Sequence, residues 1–388
     1  MKNKYINRLI KFNVLISFCF YNYICYSVEL GNLIAIDIFS NNNDTNSILN
    51  KEYLIVSNEE NIVPNDNIFD KENIDAAEKH NKYINEKDFW YADTKMSILI
   101  GGLPSLETKI KPIPTTILAV GLAGAFILQH QLQMKTIWKN NKDAYFKFQD
   151  DLKEEMFIDK CGHFYGAYIT SYFLREALVG CGFGWNTANN VAGILGLTYS
   201  TYVEIWDGFG PDYGFSPSDF IADVAGATFF IAQHYYPSLR NITPKFIYFP
   251  SEWTGYKSRI PTAMFIDDYS SQFFFYSINI YNLLPDKWKT YYPSWLELSV
   301  GYTVRNMLDK VRHPDEEQCS ECTFWKDGYW GSPRVVLALD YNLEKILPSG
   351  GNTWNWFRQT LNRFKLPSPA LEIGKVTRFY ILFPFKLW

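Results

Sequence analysis

An eight-residue pattern occurs twice in this chain and constrains the fold more than any other feature. Residues 159–166 read DKCGHFYG and residues 219–226 read DFIADVAG, so both fit Asp-x-x-small-(His or Asp)-x-x-Gly. On a helix, positions i, i+4 and i+7 share one face, and position i+3 lies beside them. Both copies therefore predict a helix that sets two ionisable groups on the same stripe as small residues, along which another helix can approach closely.

Three helices are predicted around these two copies, and small residues repeat at intervals of four in each of them. Asn186 is a suitable N-cap for the second helix, and Pro217 suits the first turn of the third. The predicted ranges are about 156–178, about 186–207, and from 216 or 218 to before Pro237. Close packing of the three helices is the simplest explanation of the small residues.

An apolar segment upstream, residues 117–128 (ILAVGLAGAFIL), predicts a further helix. Twelve residues are short for an independent membrane span. With its flanking residues, the segment could cross a membrane or lie against a helical bundle. We assign residues 113–240 to that bundle.

The periodicity changes after residue 240, and we expect residues 241–388 to pack on the bundle. The predicted strands are 245–249, 296–302, 334–343 and 377–385. Residues 265–284 are aromatic-rich and predict a helix. Four or five strands are too few for a transmembrane barrel. The sequence therefore predicts an α+β fold, with four to five apolar helices and a small C-terminal antiparallel sheet.

The N-terminal residues 1–27 combine basic residues with a short apolar run, which is typical of a signal peptide or a retained anchor. Residues 28–95 include an Asn-rich polar stretch that predicts a tether. Cys319 and Cys322 form a Cys-x-x-Cys pair, which favours a local disulfide or unpaired thiols over zinc or redox chemistry, since the chain has no second Cys-x-x-Cys. Aromatic residues make up 18% of the chain, which suits contact with membrane lipids. The formal charge of −4 carries no basic cluster, so no nucleic-acid partner is expected.

Five ionisable residues are the candidate site, and they are Asp159, His163, Glu204, Asp219 and Asp223. Glu204 lies on the same helix face as the small residues of its own helix. Tight packing of the three helices would bring four carboxylates and one imidazole together. Crowded carboxylates raise each other's pKa and become general acids or recruit a cation. A divalent metal is the candidate cofactor, with Asp159, His163, Glu204 and Asp223 as its predicted ligands.

Plainer interpretations remain open for most of these residues. Asp159 and Asp219 could each serve only as a charge in the first turn of a helix. Glu204 stands near a helix end and could be solvated. Asp223 is the hardest to explain by capping because it lies well inside an apolar helix. Lys160 is expected to point away from the cluster or to reach an interface.

These motifs resemble a family of predicted lipoproteins that is known as domain of unknown function 2279, is also described as YfiM-like, and is common in Bacteroidetes. The resemblance rests on DKCGH at 159–163, on EIWDGFGPDYGFSPSD at 204–219, and on Asp223 with Gly226. It extends over roughly residues 113–388. Two positions depart from the family pattern, because Asp223 replaces an asparagine and Lys147 replaces a frequent histidine. A weaker similarity of layout links the chain to VanZ-type membrane proteins.

The resemblance implies no established activity, and the sequence is consistent with two functions. The first is a bacterial cell-envelope, membrane-associated protein whose acidic and histidine cluster binds an ion or ligand or stabilises helix packing. The absence of a G-x-S-x-G, H-E-x-x-H or P-loop motif in the sequence favours it. The second is a membrane-embedded hydrolase or transferase acting on lipid or envelope substrate, with the five candidate residues as metal ligands or acid–base groups. The sequence does not separate the inner from the outer membrane.

Overall fold

A computed structural model of the chain describes residues 82–136, 138, 145–210, 213–256, 268–309, 320–324 and 329–386. The predicted α+β class is confirmed in these residues. Four long helices form the first half, and an antiparallel sheet with short flanking helices forms the second. The predicted leader at 1–27, most of the predicted tether, and Cys319 lie outside the described residues.

Three of the long helices pack against one another as the small-residue pattern predicts. They are α2 (Ile158–Gly180), α3 (Trp185–Asp207) and α4 (Pro217–Tyr235), preceded in the chain by α1 (Pro112–Thr136). Helix α4 begins after Ser216, whose side chain accepts a hydrogen bond from the backbone N–H of Asp219. This cap satisfies one of the orphan donors at the helix start.

Glycines at the helix contacts leave no room for a side chain. A Cβ atom at Gly226 in α4 would collide with the backbone carbonyl of Phe164 in α2. A Cβ atom at Gly196 in α3 would collide with the hydroxyl of Ser171 in α2. The close approach of α2 to both neighbours therefore depends on these two glycines, which confirms the packing role predicted for the small residues.

Helix α1 is largely uncovered. Its stretch Pro112–Lys135 has a mean hydropathy of 1.6 and is, within the described residues, the one helix long and apolar enough to cross a membrane. None of its most apolar window is buried. Its second half contacts α3, where the rings of Phe126 and Tyr202 lie 4.3 Å apart.

The sheet contains seven described strands, and all neighbouring pairs are antiparallel. The strands on its main path are β3 (Ile242–Tyr248), β4 (Gln272–Ile278), β5 (Leu296–Asp309), β7 (Tyr329–Tyr341), β8 (Ser368–Ile373) and β9 (Arg378–Phe383). Strand β6 (Thr323–Phe324) pairs with β7 alone. The short helices are α5 (Ile280–Leu283), α6 (Asp286–Lys289), α7 (Leu343–Ile346) and α8 (Asn352–Leu361).

The sheet curls strongly. Phe364, which precedes β8, forms a parallel bridge with Phe246 at the far edge strand β3. The backbone N–H of Phe246 donates to the carbonyl of Arg363, and the N–H of Lys365 donates back to Phe246. The side chains on the inner face are therefore enclosed. Helix α2 packs on the outer face of β3 and β4, where the ring of Tyr165 lies 5.5 Å from that of Phe246.

Three expectations about the second half are wrong. The sheet is not small, because β5 and β7 run for 14 and 13 residues. The segment predicted as an aromatic helix at 265–284 contains strand β4, since its alternate residues face the sheet interior and helix α2 in turn. Strand β8 and helix α8 were not predicted, although β8 alternates between buried and more exposed residues.

The predicted tether does not extend to residue 95. Residues 82–95 contain a short 3₁₀ turn (Glu86–Asp88) and a hairpin of β1 (Trp90–Tyr91) and β2 (Thr94–Lys95). Phe89 is fully buried, with its ring 5.3 Å from that of Trp185. A buried apolar residue such as Phe89 explains why residues 82–95 pack on the bundle although the surrounding sequence is polar.

Candidate functional site

All five predicted site residues converge at one place between α2, α3 and α4. Helix α2 carries Asp159 and His163, α3 carries Glu204, and α4 carries Asp219 and Asp223. Glu204, Asp219 and Asp223 are buried. The solvated interpretation of Glu204 is therefore wrong.

The imidazole of His163 lies at the centre of the cluster. Its Nδ1 atom lies 3.3 Å from a carboxylate oxygen of Asp223 and 3.6 Å from one of Glu204. Its Nε2 atom lies 3.8 Å from an oxygen of Asp159 and 3.8 Å from one of Asp219. One ring thus faces a pair of carboxylates on each side.

Lys160 belongs to the cluster, contrary to the prediction that it points away. Its Nζ atom lies 2.7 Å from Asp219, 3.1 Å from Asp159 and 3.1 Å from Asp151. The long flexible stem lets the ammonium group reach across the first turn of the helix to the acidic cluster, which helical spacing alone does not show.

Two further residues complete this half of the cluster and were not predicted. Asp151 accepts a hydrogen bond from Ser218 and forms one with Ser216, both near the start of α4. The hydroxyl of Tyr269 donates to Asp159 at 2.8 Å. Asp151 lies before α2 and Tyr269 lies before β4. Neither belongs to a helical pattern from which its place in the site could be predicted.

The start of α2 is set by an unusual turn. Glu155, Met156 and Phe157 all have positive φ, at 46°, 56° and 67°. Met156 is fully buried, and its carbonyl accepts a 2.6 Å hydrogen bond from the hydroxyl of Tyr302 in β5. The sheet therefore holds the turn that places Asp159 and Lys160 in the first helical turn, against the intrinsic preference of these residues.

Glu204 is held by the start of α4. Its second carboxylate oxygen accepts a hydrogen bond from the backbone N–H of Ser216 at 3.2 Å, which leaves the first oxygen towards His163. In the same turn the Ser216 side chain caps the helix. Because Ser216 caps the helix, the Asp219 carboxylate is not needed as a cap and contacts Lys160 instead. The interpretation of Asp219 as only a charge in the first helical turn is therefore incomplete.

The electrostatics of the cluster separate its acids into two kinds. Burial opposes ionisation of Asp159, but the charges of His163 and Lys160 outweigh it and lower the pKa of Asp159 to about 2. Burial and the charge of Asp159 raise the pKa of Asp219 to about 9. Burial, with the nearby carboxylates of Asp207 and Asp223, raises the pKa of Glu204 to about 8.

The pKa values of Asp223 and His163 are also shifted. Burial raises the pKa of Asp223. Burial alone would lower the pKa of His163, but Asp159 and the other carboxylates around the ring raise it well above its usual value. Near neutral pH the cluster therefore contains an imidazolium and at least two protonated acids. Such groups can donate protons or exchange them for a cation.

Two sets of three side chains have the spacing that a metal ion requires. One set is Asp159, His163 and Asp219, and the other is His163, Glu204 and Asp223. In each set the ligand atoms lie within 4.8 Å of one another. The Lys160 ammonium group already occupies the first set. The second contains one imidazole and two carboxylates, a donor set that suits Zn²⁺ or Mn²⁺.

Comparison with known families places this cluster in a defined segment. Residues 147–234 match the family described as Predicted periplasmic lipoprotein (DUF2279). The predicted resemblance is confirmed for this span. All five site residues lie inside it, whereas the C-terminal sheet lies outside it. No curated protein and no solved structure matches the chain.

The match supports a location in the cell envelope and indicates no activity. The YfiM-like and Bacteroidetes details of the resemblance stay predictions, as does its extension to residues 113–388. The family span ends near the last turn of α4, so the bundle core α2–α4 is the part of the fold that it covers.

Proposed function

We propose that this cell-envelope protein binds a divalent cation between helices α2, α3 and α4, with Nδ1 of His163 and the carboxylates of Glu204 and Asp223 as ligands. The observation that carries the proposal is the approach of two buried carboxylates, from two different helices, to the same imidazole nitrogen at 3.6 and 3.3 Å. Bringing such groups together is costly unless a charge compensates them.

The two halves of the cluster differ in what neutralises them. Asp159 and Asp219 lie within 3.1 Å of the Lys160 ammonium group, which supplies a permanent positive charge. Glu204 and Asp223 have the His163 imidazole as their cationic neighbour. A divalent ion placed there would replace protons held by these groups. Its binding should therefore strengthen as pH rises.

Asp159 is better suited to positioning than to direct ligation. It lies 3.8 Å from Nε2 of His163, on the side of the ring away from Glu204 and Asp223. A carboxylate behind a metal-binding imidazole fixes its tautomer and orientation. Asp159 is itself held by Lys160 and Tyr269. This arrangement would leave three protein ligands on the ion and an open coordination position.

The test is a cation titration of the purified full chain after chelator treatment. Zn²⁺ and Mn²⁺ are titrated calorimetrically, and bound metal is counted by mass spectrometry. Asp223→Asn and Glu204→Gln should abolish stoichiometric binding, whereas Asp159→Asn should retain it with weaker affinity. A 10–100-fold loss is typical for a group behind a ligand. Wild-type protein that binds neither cation, or ligand variants that bind normally, would refute the site.

A second function, metal-assisted hydrolysis of a lipid or envelope substrate, is favoured by two observations. The proposed ligand set leaves an open position, where a bound cation would activate water. Asp219, with a pKa of about 9, is a carboxylic acid that stays protonated at neutral pH and could act as a general acid. His163 is partly exposed, so the cluster has an edge towards solvent.

Hydrolysis has its own experiment. Vesicles of phosphatidylethanolamine and phosphatidylglycerol are incubated with Zn²⁺-loaded protein, and released head groups and fatty acids are measured by mass spectrometry. Products that appear with wild type and disappear with Asp219→Asn would support catalysis. Metal binding without products from these lipids would leave the cation site standing and reject hydrolysis of these phospholipids.

A further inference from the structure

The outer face of the curled sheet carries an unbroken row of apolar side chains. Cross-strand pairing joins Tyr276 to Val300, Val300 to Leu337, Leu337 to Leu371, and Leu371 to Phe379. These five residues are 37–65% exposed. Contiguous apolar surface of this kind marks a contact with lipid or with another molecule.

The row has apolar neighbours on both sides. Leu298 pairs with Leu339, and Val335 pairs with Ile373, and all four are exposed. The outward positions of five adjacent strands, β4, β5, β7, β8 and β9, thus form a patch without a charged side chain among these nine residues. We call these nine residues the outer apolar patch.

The inner face of the sheet combines a buried apolar cluster, which includes Phe275 and Val336, with paired charges. Arg305 and Glu372 are fully buried and lie 2.9 Å apart. The buried Lys245 of β3 lies 3.1 Å from Glu297 and 3.3 Å from Asp340. An antiparallel sheet in water usually keeps its polar side chains on the solvent side, whereas here the outer face is aliphatic and charge pairs lie inside. An apolar outer face over an interior that holds charged groups is the arrangement found in sheets that face lipid.

The composition of the patch favours lipid over a protein partner. Protein interfaces carry about one hydrogen bond per 100–200 Å² and a polar rim. The patch has no polar group except the hydroxyl of Tyr276. Helix α1 gives independent support, because its most apolar window is also entirely unburied. Two separate apolar surfaces in one envelope protein are both accounted for by a bilayer.

Aromatic and basic residues border one end of the patch. Trp288, Tyr291 and Trp295 are exposed and lie in the segment before β5, and the exposed Lys287 directly precedes Trp288. Indole and phenol rings gather at the membrane–water boundary, and lysines there attract anionic head groups. The first residue of β5, Leu296, pairs with Tyr341, so this border continues on the neighbouring strand.

The height of the patch decides how deeply it can enter. From Leu339 to Val335 the strand advances about 13 Å, at ~3.3 Å per residue. The hydrocarbon core of a bilayer is about 30 Å thick, so one leaflet contributes about 15 Å.

We propose that the outer apolar patch is inserted into the hydrocarbon of one membrane leaflet, with the Trp288–Trp295 border at its head groups. The inference does not depend on the cation site.

Photo-cross-linking tests the contact directly. A benzophenone amino acid is placed at Leu337 or at Phe379 in the full chain, and Lys87, exposed in a polar turn, is the control position. The protein is reconstituted in vesicles of phosphatidylethanolamine and phosphatidylglycerol and irradiated. Because an inserted patch position lies in hydrocarbon and Lys87 lies in water, lipid adducts at the patch should exceed those at Lys87 by at least about tenfold.

The adducts are identified by mass, which separates the possible occupants. Lipid adducts at both patch positions, with an unchanged circular dichroism spectrum as a check of folding, support insertion. Adducts with a second copy of the chain would overturn it in favour of an oligomer interface. Lipid adducts no more frequent than at Lys87 would overturn it as well.

Discussion

His163 and Asp223, which lie 3.3 Å apart, occupy the same position of the two copies of the repeated pattern. Each is the fifth residue of its copy, one on α2 and one on α4. The first residues of the copies, Asp159 and Asp219, meet through the Lys160 ammonium group. The two copies therefore pair with each other across one helix interface, position against position, and that pairing builds the cluster.

The charge state of His163 should respond more to Asp159 than to Asp219. Both carboxylates raise the pKa of His163, and the charge of Asp159 raises it more than the charge of Asp219 does. Asp159→Asn should therefore lower that pKa more than Asp219→Asn does. The measurement is an NMR titration of the imidazole signals, with His163→Gln used to assign them among the five histidines. An equal pKa in Asp159→Asn and wild-type protein would contradict the proposed arrangement.

The helical half of the fold was predictable because its signals are local. Ser216, Pro217 and a stripe of small residues predict helix α4, and its observed range differs from the prediction by a residue or two. The convergence of the five site residues followed from the same stripes, because small residues and ionisable groups sharing a face must be buried together. The ligand of the cluster could not be predicted from the sequence, since no nucleophile or phosphate-binding motif is present there.

The errors have physical causes that a single sequence does not reveal. Lys160 was expected to point away because helical spacing ignores the reach of a four-carbon stem. Strand β4 was mistaken for a helix because both of its faces are covered, one by the sheet interior and one by α2, so it lacks alternation. The charge pairs inside the sheet were also not anticipated, because they share the buried face with an apolar cluster while aliphatic side chains cover the outer face.

Glu204→Gln should change stability in a pH-dependent way. Since the folded-state pKa of Glu204 is about 8, against 4.5 ordinarily, the folded protein binds this proton more tightly than the unfolded chain does. Wild-type stability is therefore lost as pH rises from about 4.5 to about 8. Without metal, Glu204→Gln should match wild type near pH 4 and exceed it by a few kcal/mol at pH 8.

Denaturant unfolding in detergent with a chelator present measures this difference. Glu86→Gln, at an exposed position outside the cluster, is the control and should follow wild type at both pH values. Adding Zn²⁺ at pH 8 should reverse the order, because only wild type retains the ligand. A constant difference across pH would show that Glu204 does not hold a proton in the folded state.

Lys160→Met should be among the most destabilising single changes in the bundle. The ammonium group contacts Asp151, Asp159 and Asp219, and its side chain is only 10% exposed. Removing one partner of a buried ion pair typically costs about 3–5 kcal/mol, because the remaining charges are left uncompensated. The double variant Lys160→Met/Asp159→Asn should recover part of this loss, because Asp159 is the ionised partner of the ammonium group. Thermal unfolding checks both, and a Lys160→Met protein as stable as wild type would contradict the role of counter-ion.

The last residues of the two pattern copies, Gly166 and Gly226, should respond to alanine in opposite directions. A Cβ at Gly226 meets the backbone of Phe164, whereas a Cβ at Gly166 meets nothing within 4 Å. Gly226→Ala must separate α4 from α2 and should cost about 1–3 kcal/mol, with weaker cation binding because Asp223 moves with its helix. Gly166→Ala should be neutral or stabilise the protein by up to about 1 kcal/mol through helix propensity. Unfolding curves and Zn²⁺ titrations of the two variants provide the comparison, and equal effects would mean that the helix contact is not as close as the glycine geometry indicates.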